Sequence, residues 1–208
     1  MSDLSLGNAK LVLATHNAHK VGELRTILAQ AIPGFEADWL IGAADLHLTE
    51  PIEDGVTFAA NSLLKARAVA EQTGLPAIAD DSGICVEVLG GAPGIFSARW
   101  CGHHGDDNAN LDLLLAQLAD IAPEHRQASF VAAAALVLPS GEEFVELGEV
   151  KGSLLFERTG EGGFGYDPIF APEGDYRSMA QLPPEEKNQI SHRGRAFRAL
   201  APKIAELL

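Results

Sequence analysis

An α/β fold is predicted by three features of the sequence. Lys10–Ala14 is a compact apolar run suited to a buried strand. The polar loop Thr15–Lys20 breaks it, and from about Val21 to Ile32 a helical repeat places Val21, Leu24, Ile27, Leu28 and Ala31 on one face. A second helical stripe, Val56, Ala59, Ala60, Leu63, Ala66 and Ala70, ends near Gly74 and is followed by the apolar stretch Ala77–Ala79. Gln127–Leu138 and Phe144–Phe156 are strand-rich and joined by the turn Pro139-Ser-Gly-Glu, the spacing of an antiparallel hairpin. With 208 residues, 47% hydrophobic and 21% charged, the chain suits one domain of ordinary size, or one domain with two lobes around a cleft.

Taken in order, residues 1–9 read as a short polar tail. The strand, loop and helix over 10–32 place backbone N–H groups and a helix N-terminus where an anion can be held. The loop lacks the glycines of a P-loop or a dinucleotide fingerprint. Phe35–Ile41 reads as a second strand, followed by a loop containing Glu50, Glu53 and Asp54. On the next helix Asn61 and Lys65, four apart, share the more polar side. Lys65 there either reaches a phosphate or is solvated.

The run Pro76–Ala79 then ends abruptly in Asp80-Asp81-Ser82-Gly83. Neighbouring carboxylates repel, so a cation, a proton or solvent has to stabilise them. A solvated turn of the same composition is the competing explanation. Ile84–Val88 continues or returns the strand. If strand alternation persists, Asp80 and Asp81 point opposite ways, so the two acids have different surroundings.

Asp106-Asp107 caps a leucine-rich helix running to Ala119, and helix capping explains those acids. His103 and His104 are adjacent, so their side chains diverge as in a surface loop. Gly160–Pro168 is glycine-rich with two aromatics and an acid, offering close backbone approach and a stacking face for a base, or else a flexible hairpin loop. Lys187, His192 and Arg193 lie close to the start of a helix expected from about Arg195 to the C-terminus. Basic groups there oppose the helix dipole, and a bound anion would offset the mismatch.

A formal net charge of −14 argues against a nucleic-acid polymer as partner, but not against a small phosphorylated ligand held by a few converging cations. No leader segment and no membrane-spanning run is evident, so a cytoplasmic protein is expected. Cys85 and Cys101 lack metal-ligand spacing and read as reduced packing residues.

Taken together, Ala14–Lys20, Phe58–Ala66, Ala79–Gly83, Leu89–Gly94, Ser97–Arg99, Gly162–Pro168, Glu186–Asn188 and Ile190–Gly194 resemble, in order and over nearly the whole chain from Lys10, the inosine triphosphate pyrophosphatase family. That resemblance implies a long, bent mixed β-sheet with flanking helices, two lobes around a central cleft, and a single domain over residues 10–208. It implies a homodimer that needs Mg²⁺ and hydrolyses non-canonical purine nucleoside triphosphates to the monophosphate and pyrophosphate. By the same resemblance Thr15, His16, Asn17, Ala18, His19 and Lys20 hold the triphosphate, Glu53 and Asp81 bind magnesium, and Asp81 is the proton acceptor. Ser82 touches the substrate. Phe164, Gly165, Tyr166 and Asp167 form the base pocket, with Lys187, His192 and Arg193 closing on the nucleotide. His16 and His19 depart from the small residues common in that loop, Ala60 replaces a common glutamate, and Glu87 a common aspartate. A related pyrophosphatase with another base preference, and a nucleotide-binding module without turnover, are the alternatives.

Overall fold

Six strands make one mixed sheet in the computed structural model, which describes residues 6–208 apart from the side chains of Ala18 and His19. Residues 1–5 of the expected tail therefore lie outside the described residues. The strands are β1 (Leu11–Leu13), β2 (Leu40–Gly42), β3 (Ala77–Val86), β4 (Gln127–Val137), β5 (Glu143–Leu154) and β6 (Phe170–Pro172), in the order β2-β1-β3-β4-β5-β6. β1 runs parallel to β2 and β3, whereas β6 is antiparallel to β5. The helices are α1 (Ala18–Ala31), α2 (Phe58–Thr73), α3 (Asp107–Gln117), α4 (Pro184–Ile190) and α5 (His192–Ala205). The α/β class is the one predicted. No described helix is long and apolar enough to cross a membrane.

The chain divides into two compact units. The first holds the chain up to Asp81, Ala132–Gly148 and Arg193–Leu208; the second holds Ser82–Val131 and Glu149–His192. In the first unit the period of two along each strand sorts its side chains between two cores. Leu11, Leu13, Ile78, Ala132, Ala134 and Leu136 pack with Leu24, Ile27 and Leu28 of α1 and Phe197, Leu200 and Ile204 of α5. Val12, Ala77, Ala79, Ala135 and Val137 pack with Ala66, Val69 and Ala70 of α2. Helix α2 starts at Thr57, whose hydroxyl accepts the Ala60 N–H at 3.1 Å, and stops at Gly74 in the left-handed conformation, φ 68°.

The second unit has its own core, built from Ile84, Val86, Leu111, Leu114, Leu118, Phe130, Leu154, Ile169 and Phe170. Asp106 caps α3 by accepting the Ala109 N–H at 2.9 Å. A Cβ on Gly83 would stand 2.3 Å from the Gly94 carbonyl oxygen, so only glycine lets β3 pass that close to the segment Gly94–Arg99. Arg126 is fully buried and donates to the carbonyls of Leu118 (2.6 Å), Leu154 (2.9 Å) and Leu155 (2.8 Å).

Several expected boundaries move. Helix α1 begins at Ala18 rather than Val21, because the Thr15 hydroxyl closes a short turn by accepting the Asn17 N–H at 3.2 Å, and the Asn17 carbonyl already accepts from Lys20. The second strand shrinks to β2, since Ala37–Trp39 coils into a 3₁₀ turn with Trp39 edge-on to Phe35 and beneath the Lys10 ammonium. β3 runs unbroken through Asp80-Asp81-Ser82-Gly83, so the acidic pair lies within a strand and not at its end. The C-terminal helix starts at His192, separated from α4 by the extended Ser191 alone.

Arg126→Met should lower unfolding free energy by about 3 kcal/mol, because two buried carbonyls and one partly buried one lose a charged donor. Urea denaturation of the two proteins measures this.

Candidate active site

Asp80 and Asp81 are consecutive, so they project to opposite faces of β3. Asp80 shares the side of Ile78, toward α1 and α5; Asp81 shares the side of Ala79, toward α2. Each face supplies its own cations.

On the first face Asp80 is only 3% exposed. The Lys20 ammonium, in the first turn of α1, lies 3.3 Å from both of its oxygens, and Arg193 Nε, in the first turn of α5, lies 3.0 Å from Oδ2. Arg193 Nη1 donates to Glu23 on α1 at 2.9 Å. Burial disfavours the Asp80 charge, but Arg193, Lys20 and Lys65 outweigh it and hold the carboxyl well below the usual carboxylate range. Burial lowers the pKa of Lys20, and Asp80 does not fully offset this because Arg193 and Lys65 add positive charge nearby. An anion brought to Lys20 would act against that depression.

On the second face Asn61 Nδ2 donates to Asp81 Oδ2 at 3.0 Å. The Lys65 ammonium, one turn further along α2, lies 3.6 Å from Asp81 Oδ1 and 3.1 Å from Glu53 Oε1. Burial raises the Asp81 pKa above the ordinary carboxylate value, and Lys65 and Asn61 only partly oppose it. Burial also works against the Lys65 charge, but Asp81, Asp80 and Glu53 prevail and raise its pKa. Asn61 Oδ1 is buried without a hydrogen-bond partner.

Glu53 and Asp81 thus already share one cation, the Lys65 ammonium. Two carboxylates meeting a common positive charge form the hard oxygen donor set that suits Mg²⁺. Among the described residues no group of three or more His, Cys, Asp or Glu is arranged around a metal position.

The remaining predicted residues fall in two places. Thr15, His16 and Asn17 form the loop before α1; the side chains of Ala18 and His19 are outside the described residues. In the second unit Asp167 is buried, and its Oδ2 accepts the Phe164 N–H at 2.8 Å and the Lys187 ammonium at 2.5 Å. Lys187 also lies 4.8 Å above the half-exposed Phe164 ring. A Cβ on Gly163 would stand 2.2 Å from the same Asp167 oxygen, at φ 72°, so glycine is required there. Tyr166 turns inward, its hydroxyl donating to the Ser97 carbonyl at 2.8 Å, so the exposed stacking face belongs to Phe164. His192 stacks on Phe130 with ring centroids 4.8 Å apart. Ser82 is half-buried next to Asp81 in β3.

Sequence reasoning gave no functional weight to Asn61 and kept Lys65 in reserve, although their four-residue spacing was the signal that they share a face. Glu23 and the contact of Asp107 Oδ2 with the Gly165 N–H, 3.1 Å, carried no signal beyond residue type. The second unit's cavity of about 760 Å³, walled by residues such as Gln127, Ser129, Glu149 and Lys151, includes none of the predicted site residues.

The model of the Ham1 family matches residues 11–203. A dITP/XTP pyrophosphatase of Streptomyces coelicolor is 64% identical over 200 residues, covering 96% of this chain and 98% of that protein. One from Corynebacterium efficiens is 56% identical, covering 95% and 98%. Among solved structures, a nucleoside-triphosphatase / dITP/XTP pyrophosphatase from Mycobacterium abscessus is 49% identical with a TM-score of 0.74, covering 92% of this chain and 98% of its own. The Ham1 protein of Staphylococcus aureus is 37% identical with a TM-score of 0.82, covering 94% and 98%.

Asp80→Asn should cost about 3 kcal/mol of stability, because the buried Arg193 and the partly buried Lys20 lose their shared anion. The folded-state pKa of Asp80 is depressed, so its contribution is complete above the unfolded-state value and is lost only as pH falls toward the folded-state value. Acid unfolding of the wild type should therefore be steeper than that of the variant in the range below pH about 4.

Proposed function

The chain belongs to the Ham1 family, and from that premise we propose that it is a nucleoside triphosphate pyrophosphatase acting on non-canonical purine nucleotides such as dITP and XTP. The products are the nucleoside monophosphate and pyrophosphate. The observation that carries the reading is the arrangement around Asp81: a carboxylate of raised basicity, oriented by Asn61 and sharing a cation with Glu53.

Phosphoryl-type transfer depends mostly on positioning and charge neutralisation. The loop Thr15–His19 and the first turn of α1 are proposed to offer backbone N–H groups to the triphosphate, with Lys20 as a point charge. Magnesium, held by Glu53 and Asp81, would neutralise phosphate charge and supply Lewis acidity when bound. Asp81 is assigned the proton of the attacking water, its Oδ2 kept in place by the Asn61 amide. Ser82 is proposed to touch the substrate.

Phe164 and Gly165 are assigned to the base, with Tyr166 bracing the loop through Ser97. Asp167 accepts a hydrogen bond from the protonated N1 of a 6-oxopurine. Arg193, its guanidinium oriented by Asp80 and Glu23, donates to O6. Lys187, 2.5 Å from Asp167 Oδ2, orients that carboxylate for the role, and His192 completes the contacts. Adenine presents the opposite pattern at both positions, a mismatch worth a factor of about 10⁴ in favourable cases. Homodimeric, cytoplasmic action completes the proposal, with residues 10–208 acting as one domain.

Pyrophosphate release should be rapid with inosine and xanthosine triphosphates, slow with adenosine triphosphate, and dependent on Mg²⁺. Absence of release from any of these with metal present would leave a binding module. Asp81→Asn should lower turnover by about a hundredfold or more; wild-type turnover in that variant would overturn the assignment. Asp167→Asn should narrow the preference for inosine over adenosine triphosphate, and an unchanged ratio would remove Asp167 from base selection.

A further inference from the structure

The His16 ring is turned toward the segment that carries Glu53. Its Nδ1 contacts the Glu50 carboxylate, and its Nε2 lies 3.1 Å from the Leu48 carbonyl oxygen. Both partners belong to the stretch between the 3₁₀ turn Ala43–Leu46 and helix α2, the stretch in which Glu53 sits. That stretch has few other anchors. Leu48 packs on the α2-side core at its start, but Ile52 and Val56, on either side of Glu53, are 84% and 85% exposed. Burial therefore does not hold the part that bears the acid. Among the described residues, its other polar ties include the Leu48 N–H to the Ala43 carbonyl (3.2 Å), the local Asp54 N–H to Ile52 carbonyl bond (3.2 Å), the paired Thr49–Gln72 bonds of 3.4 Å and the Glu53–Lys65 ion pair. A cavity of about 30 Å³, room for about one water, is walled by His16 and Glu50 together with Glu53 and Lys65. The two pairs thus share one small space.

We propose that His16 is a positioning residue for Glu53: its ring, seated between the Glu50 carboxylate and the Leu48 carbonyl, fastens the Glu50-to-Glu53 segment to the loop before α1 and fixes the Glu53 carboxylate across the Lys65 ammonium from Asp81. This rests on the reading of Glu53 and Asp81 as the metal-binding pair. A carboxylate on an unfastened segment must be ordered before it ligates, and that cost is subtracted from binding. Groups that orient metal ligands commonly change affinity by ten- to a hundredfold. An exposed His–Glu pair contributes little to folding stability, so removing it leaves the fold intact.

The test uses Mn²⁺ as probe, titrated by calorimetry into the substrate-free protein, for wild type, His16→Ala, Glu50→Gln and the double variant. Each single variant should bind Mn²⁺ about tenfold more weakly, with melting temperature within a few degrees of wild type, and the double variant should be no weaker than His16→Ala. His16→Gln, which can still donate one bond, should recover part of the affinity. Wild-type affinity in both single variants overturns the latch while leaving the proposed function standing. Additive losses in the double variant overturn it too, because the two side chains would then act separately. A wild type that neither binds Mn²⁺ nor releases pyrophosphate overturns the latch and the proposed function together.

Discussion

The period of two along β3 is the constraint on which the site depends. Two acids next to each other in sequence cannot share a face of a strand, so each needs its own compensating charge. Asp80 finds it in Lys20 and Arg193, one from α1 and one from α5, and Asp81 in Lys65 from α2. The apolar side chains of the same strand choose helices by the same parity. Packing and electrostatics therefore place α1 and α5 on one side and α2 on the other by a single rule. Without the cations, burying the two carboxylates would cost several kcal/mol each. With them, β3 continues through the pair instead of breaking there.

The two acids acquire different chemistry from that separation. Asp80 is ionised under all ordinary conditions and fully occupied by cations, which suits an orienting role for Lys20 and Arg193. Asp81 keeps a more basic carboxylate, held by one amide and one ammonium. Its neighbour Asn61 has a second amide atom, Oδ1, that is buried without a partner. A polar atom left unsatisfied in the interior costs about 1–3 kcal/mol, which marks this side of α2 as organised for something other than stability alone.

Much of this was legible in the sequence. Helical periodicity located α1, α2 and α3 to within a few residues, and the opposed directions of Asp80 and Asp81 followed from alternation. Partners were not legible. Arg193 is 113 residues from Asp80, and nothing local to either announces the pair. Arg126, with no motif around it, holds three carbonyls because of where β4 and β5 bring it. Lys20 was placed in a loop because the Thr15 turn, which lets the helix start three residues early, is a hydroxyl–backbone contact and not a hydrophobic pattern. The acidic pair looked like a strand end because charge usually ends a buried strand; here compensation on both faces lets it continue.

The Lys65 ammonium between Glu53 and Asp81 also bears on the order of events in the life of the chain. Many small metal sites assemble only when the ion arrives, and ion binding then drives folding. Here Glu53 and Asp81 carry a counter-charge supplied by the same polypeptide, so their charges are compensated without an ion. On the proposed function, loading would be an exchange of one positive group for another at carboxylates already in place. The affinity of that exchange would then depend on how readily Lys65 gives way.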